Sequence, residues 1–271
     1  MQPDQFFKDK VCVITGASRG IGAALARELG QRGAKLALFA RSEPEIDALV
    51  EEFGRADVDA IALVGDVTID SDVKRLAQET ADHYGAIDVV VANAGIGVQA
   101  MFSELSMEDI RWVMEVNFFG VVRTIQATLP HLRKRPDSRL GIISSLAGKL
   151  ALPAGSAYSA SKFALQGLGT AIRAEEEATG GPKVTLLCPG FVESNISNAA
   201  VVRGDGGRDR PPKMIVVPAP VAAKEIADAL IKAPPEVMIT GHAKIIETIR
   251  RLAPDFVNQQ AARQMLKKFK K

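Results

Sequence analysis

The sequence predicts an α/β fold, a doubly wound parallel sheet with helices on both faces. Three observations carry that prediction. Short β-branched apolar runs alternate with longer stretches of helical periodicity, the rhythm of a parallel sheet with crossover helices. The first apolar run opens directly into a glycine turn, Gly16-Ala17-Ser18-Arg19-Gly20-Ile21-Gly22, and the turn opens a helix. Asp66, Asn93, Gly95 and Ser145 each follow an apolar run, so a parallel sheet would gather them on its carboxyl edge, where such sheets bind ligands.

Composition narrows the class. A length of 271 residues suits one large α/β domain or two small ones. Thirty-four basic against 32 acidic residues leave a net charge of +2, too little to argue for a nucleic-acid partner. Part of the basic excess is local, at Lys267, Lys268, Lys270 and Lys271. Residues 1–8 hold no apolar core of a secretory signal, and no apolar run is long enough to span a bilayer. A cytoplasmic protein is expected. Cys12 and Cys188 sit in strand-like runs and read as small buried hydrophobes in a reducing compartment. His83, His131 and His242 are scattered without ligand spacing, so no metal site is expected.

The elements follow in order. Residues 10–15 read as a buried strand. The spacing after it, Thr15-Gly16-x-x-x-Gly20-x-Gly22, differs from the common G-x-G-x-x-G. Glycines let a backbone approach a pyrophosphate, and the next helix offers free N–H groups and positive potential. The alternative is a strand-to-helix turn that needs glycines for sterics alone. Residues 35–40 form the second strand. A site preferring NAD ends this strand with an acid for the ribose hydroxyls; here Ala40, Arg41 and Ser42 stand instead. Arg41, joined by Arg19 from the glycine turn, could grip a 2′-phosphate, which predicts NADP(H). Otherwise Arg41 is a surface residue at a strand end.

Residues 43–53 and 70–84 read as helices, and 60–64 and 87–92 as strands. Individually Asp66, Asn93 and Gly95 could be ordinary turn residues; their shared edge makes them cofactor candidates. Ser106 caps a long helix whose stripe includes Ile110, Val113, Val116, Val121 and Ile125. Asn117 interrupts that stripe, and a buried Asn needs partners. Pro130 is expected to kink or end the helix. Strands at 139–144 and 184–188 follow, then a helix at 221–231 and a last strand at 236–240.

Tyr158 and Lys162 are four apart on the helix after Ser145, so they share a face. An ammonium beside a phenol favours phenolate and brings its pKa toward the range of a general acid/base. A pair at this spacing can also be a plain solvated pair.

The ordered set settles which context applies. Thr15-Gly16-x-x-x-Gly20-x-Gly22, Asp66, Asn93-Ala94-Gly95, Asn117, Ser145, Tyr158-x-x-x-Lys162 and Pro189-Gly190 spread from about residue 10 to about residue 195. In that order they resemble the classical short-chain dehydrogenase/reductase family. The resemblance implies a single Rossmann-type domain, a nicotinamide cofactor, a small-molecule substrate and a homodimer or homotetramer built on two long helices. The Ala40-Arg41-Ser42 stretch is similar to that of members acting on lipophilic substrates with NADP(H), such as the 11β-hydroxysteroid dehydrogenases.

It further implies roles. Tyr158 would exchange the proton with the substrate oxygen, and Lys162 would lower the Tyr158 pKa and hold ribose hydroxyls. Ser145 would hydrogen-bond the substrate oxygen, and Asn117 would hold a water relaying protons to Lys162. Gly16, Ser18, Arg19, Gly20, Ile21, Gly22, Arg41, Ser42, Asp66, Val67, Asn93, Ala94 and Gly95 would line the dinucleotide. Pro189, Gly190, Val192 and Ser194 would face the carboxamide; Ser194 stands where Thr is common.

Met101, Phe102, Leu146, Leu150, Leu152 and Phe191 near the expected site point to an apolar substrate, although each could be core. Residues 1–9 are expected as an N-terminal arm, 10–253 as the catalytic domain with a substrate loop or lid at 194–220, and 254–271 as a basic amphipathic tail. Helical periodicity continues at 244–252 and 257–269, a pattern that fits peripheral membrane contact, a partner subunit, a cap on the site or a solvated terminus. The alternative to an enzyme is a dinucleotide-binding regulator or scaffold without turnover.

Overall fold

Seven parallel strands form the centre of the computed structural model, in the order β3-β2-β1-β4-β6-β7-β9. The structure describes residues 5–193, 201–202, 216–257, 259–260 and 263. The strands are β1 (Val11–Thr15), β2 (Lys35–Ala40), β3 (Ala60–Val64), β4 (Val89–Ala92), β6 (Arg139–Ile143), β7 (Lys183–Pro189) and β9 (Glu236–Ile239). Helices α1 (Gly20–Gln31), α2 (Glu43–Arg55), α3 (Asp70–Tyr84), α4 (Met107–Met114), α5 (Gly120–Leu132), α6 (Ser156–Thr179), α7 (Ala219–Lys232) and α8 (Gly241–Leu252) cover both faces. This is the doubly wound Rossmann-type sheet. The order reverses direction between β1 and β4, and the crevice at that switch point is where such sheets take ligands.

The two-residue period of a strand divides the core. Cys12, Ile14, Leu36 and Leu38 point to one face, where Leu25 and Leu29 of α1 and Ile226 and Leu230 of α7 meet them. Val13, Ala37, Phe39 and Val90 point to the other, against Leu76 of α3, Ile125 of α5 and Leu165 of α6. Because both faces are covered, the strands are apolar throughout rather than alternating. The stretch before β1 is tied into the first layer: Phe7 is fully buried and packs edge-on against Phe6.

Two features depart from the sequence expectation. The long helix after Ser106 is not continuous α-helix; Glu115–Phe119 form a π-helical turn between α4 and α5. Pro130 sits in the last turn of α5, which ends at Leu132. So close to the C-terminus the missing N–H costs a single bond of the last turn. A small second sheet, unforeseen, pairs β5 (Val98–Gln99) with β8 (Val201–Val202) in parallel.

Residues 194–200 and 203–215, most of the expected substrate loop, lie outside the described residues, as does most of the tail after 257. Ile245, Ile249 and Leu252 are exposed along α8, and Phe256 continues the row. Among the described residues no helix is long and apolar enough to cross a membrane.

Candidate active site

A cavity of about 790 Å³ runs along the carboxyl edge of the sheet, from the glycine turn to the end of β7. It gathers most of the residues that the sequence singled out. Gly16, Ser18, Arg19, Gly20 and Ile21 line one end with Arg41, Ser42, Asp66 and Val67, while Ser145, Tyr158, Lys162, Pro189, Gly190 and Val192 line the other. Asn93, Ala94 and Gly95 lie between. Ser194 lies outside the described residues.

The glycine turn is built for close approach. Gly16 has φ +67° and Gly20 φ +58°, the left-handed region open to glycine. A Cβ at Gly16 would come within 2.8 Å of Ala94 Cα. A Cβ at Gly22 would run into the Gly16 carbonyl and come within 2.7 Å of Asn93 Nδ2. Gly22 itself is buried between α1 and the turn and does not line the cavity. The first turn of α1 carries no acidic side chain, so its free N–H groups keep their positive potential for an anion.

Asn93 serves this turn from below. Its Nδ2 donates to the carbonyls of Thr15 (2.9 Å) and Gly16 (3.2 Å). The N–H groups of Asn93 and Ala94 donate to Thr15 Oγ1 at 3.0 and 3.2 Å. The Asn93 side chain therefore shapes the cradle from the protein side. Thr15, the first residue of the glycine motif, is the second half of that brace.

At the end of β2, Arg41 Nη1 stands 3.6 Å from Asp66 Oδ2. The other Asp66 oxygen accepts from the N–H and hydroxyl of Thr68, both at 2.9 Å. Asp66 is thus held as a turn residue and as the partner of Arg41, with both residues on the cavity wall.

At the other end, Lys162 is buried and its Nζ donates to the Ile143 carbonyl at 2.9 Å. Its ammonium sits 5.7 Å from the Tyr158 ring centroid. Burial holds the Lys162 pKa down at about 8. Burial also raises the Tyr158 pKa, opposed by a hydrogen bond with Ser145. This corrects the expectation that Lys162 lowers the Tyr158 pKa: the ammonium is turned to Ile143 and faces the ring, so desolvation of the phenolate prevails. Ser145 Oγ also accepts from the Ala147 N–H at 3.1 Å.

Asn117, fully buried, lies in the π-helical turn, a device common at functional sites. Its Oδ1 accepts from the Ile96 N–H at 2.8 Å, and its Nδ2 donates to the Ile96 carbonyl at 3.0 Å and to Ser161 Oγ at 3.1 Å. Its amide is thus satisfied by protein, and it pins the strand end after β4 to α6. A Cβ at Gly95 would touch Asn117 Oδ1 at 3.3 Å and Lys162 Nζ at 3.7 Å, so the two polar groups flank that glycine.

Of the six apolar candidates, Leu146, Leu152 and Phe191 line the cavity, Leu150 is core, and Met101 and Phe102 are exposed outside its lining. Trp112 was missed and lines it. It lies one helical turn before Val116, so extending the α4 stripe backward would have found it. Among the described residues no group of three or more His, Cys, Asp or Glu side chains is placed to hold a metal ion.

This architecture has many relatives. A model of the family described as short chain dehydrogenase matches residues 10–202. The zebrafish (Danio rerio) Dehydrogenase/reductase SDR family member 7B is 34% identical over 244 residues, 86% of this chain and 78% of that protein. A short chain dehydrogenase/reductase from Burkholderia phymatum, solved in complex with NAD, superposes with a TM-score of 0.82 at 26% identity, covering 92% of this chain and 95% of that one. An alcohol dehydrogenase from the archaeon Thermococcus sibiricus, complexed with 5-hydroxy-NADP, gives 0.73 at 30% identity over 86% and 96%.

Proposed function

The chain belongs to the short-chain dehydrogenase/reductase family of oxidoreductases, and from that premise we propose that it interconverts a carbonyl and a secondary alcohol with NADP(H). One observation carries the reading: Ser145, Tyr158 and Lys162 meet at one end of a cavity whose other end is a glycine cradle. The cradle fits a dinucleotide: Gly16, Ser18, Arg19 and Gly20 line the cavity, and the first turn of α1 carries no acidic side chain to oppose a pyrophosphate. When bound, the nicotinamide supplies the hydride. The chain's own residues supply the rest. Tyr158, kept protonated by burial, gives its phenolic proton to the carbonyl oxygen in reduction and takes it back in oxidation. Ser145 donates to that oxygen as negative charge develops on it. Lys162 holds a positive charge beneath the pair, and Asn117 fixes the loop after β4 against α6.

The choice of NADP(H) rests on Arg41 and Arg19 at the cavity wall and on Ala40 where an acid would stand. Related structures hold either NAD or an NADP derivative and do not choose between them. An apolar substrate, a steroid or lipid or a molecule like them, is supported by Trp112, Val98, Leu146, Leu152 and Phe191 around the catalytic end. The enzyme would act in the cytoplasm as a homo-oligomer.

NADPH consumption against a panel of steroids, long-chain keto lipids, small ketones, quinones and sugars, with NADH in parallel, tests the reading. Turnover of a clustered apolar subset is expected. Tight NADPH binding with no turnover in either direction would favour a dinucleotide-binding regulator instead. Arg41→Ala should weaken NADPH far more than NADH; equal losses would show that Arg41 does not meet a 2′-phosphate.

A further inference from the structure

α8 starts two residues after β9, and its second residue reaches back to the cavity wall. His242 Nε2 accepts a hydrogen bond from the Phe191 N–H at 2.8 Å. An accepting nitrogen carries no proton, so the ring is neutral with its hydrogen on Nδ1. Burial lowers the His242 pKa and favours that form. The imidazole also lies nearly flat against the Phe191 ring, with centroids 5.6 Å apart and planes 14° apart.

The residues on either side fit this contact. A Cβ at Gly190 would run into His242 Nε2 and come within 2.7 Å of Thr240 Oγ1. Thr240 Oγ1 itself stands 3.3 Å from His242 Nε2. Thr240 has φ +85° and ψ 142°, a strained conformation for a β-branched residue. It is held there by its N–H, which donates to Glu225 Oε2 of α7 at 3.2 Å. Glu225 is in turn paired with Lys244 at 2.9 Å. A strained residue supported on both sides, next to a turn that lines the cavity, is a pattern found where geometry matters to function. Val217 completes the support, donating its N–H to the Phe191 carbonyl at 2.9 Å.

We propose that His242 is a positioning residue for hydride transfer. Through its bond to the Phe191 N–H and its stack on the Phe191 ring, it fixes the Gly190–Phe191 turn at the catalytic end of the cavity. This rests on the proposed oxidoreductase reading, in which that turn meets the carboxamide end of the cofactor. His242 touches neither substrate nor the reacting atoms; it sets the wall that they rest on.

Three variants separate acceptor, ring and bulk. His242→Gln keeps an acceptor at similar reach, His242→Phe keeps the ring without the acceptor, and His242→Ala keeps neither. Hydrogen exchange of the peptide that contains Phe191 is measured in the full chain, with and without NADPH. The Phe191 amide should exchange about tenfold faster in His242→Phe, the worth of one lost hydrogen bond, and close to wild type in His242→Gln. In the kinetics, kcat should fall about tenfold in His242→Phe with the carbonyl KM little changed, and Gln should recover most of it. Thermal melting confirms that each variant is folded. Equal exchange in all four proteins, or Gln as impaired as Phe, would overturn the proposal. A wild-type protein that binds NADPH but turns over no substrate would defeat the oxidoreductase reading; exchange and NADPH affinity would still decide whether His242 positions the turn.

Discussion

Tyr158 and Lys162 differ in what burial does to them. The phenol is kept protonated and the ammonium is loosened, its pKa held at about 8. Both shifts have the same consequence for reduction. Below about pH 8 the phenol has a proton to give and Lys162 is charged; above it Lys162 loses its proton first. The reduction rate should therefore be high at neutral pH and fall as pH rises past about 8. Oxidation, which needs phenolate, should gain only at higher pH, past the ordinary phenol range, because burial raises the Tyr158 pKa. Rate–pH profiles in both directions check this, and parallel profiles would contradict the assignment of one acid/base group. Tyr158→Phe should lose at least about 100-fold in turnover, the low end of general acid/base contributions, while NADPH affinity barely changes. Near-native turnover in that variant would remove Tyr158 from the chemistry.

The glycine turn and α1 form one unit with the end of β4. Gly22 packs so closely on the Gly16 carbonyl that a methyl group has no room. Gly22→Ala should cost about 1–3 kcal/mol of stability, the usual cost of overpacking, and weaken NADPH as the turn is pushed from the Asn93 brace. Melting and fluorescence titration measure both, and unchanged NADPH affinity would show that the turn does not set the cradle. This unit was legible in the sequence because its signals are local: an apolar run, glycines at fixed offsets, then helical periodicity. Arg41, one residue past β2, was legible for the same reason. The π-helical turn around Asn117 was not, because it depends on the Ile96 N–H and carbonyl that the Asn117 amide meets after folding. The Asn93 and Thr15 brace spans 78 residues, and His242 reaches 51 residues back to Phe191. No periodicity encodes such pairs. The Lys162 ammonium was placed beside the phenol by spacing alone, whereas its direction is set by the Ile143 carbonyl.

At the scale of the whole molecule, the helices that hold the site also expose large apolar side chains. Met107 on α4, Phe119 in the π-helical turn and Phe163 on α6 are 55%, 45% and 43% exposed, and α4 and the π-helical turn both pack on α6. Large apolar side chains exposed on elements that pack together are what interfaces between subunits use. The same helices hold the site: Asn117 sits in the π-helical turn, and Tyr158 and Lys162 are on α6. Covering this face with a second copy would stiffen the elements that carry the catalytic groups. Light scattering should give twice or four times the mass of one chain. Met107→Glu combined with Phe119→Glu should shift the protein toward one chain by placing two like charges on that face. A wild-type protein that runs as a single chain at micromolar concentration would defeat this assignment. Dissociation with full activity would show that α6 and the π-helical turn hold their geometry without a partner, leaving the network of Asn117, Ser161 and Ile96 as sufficient support.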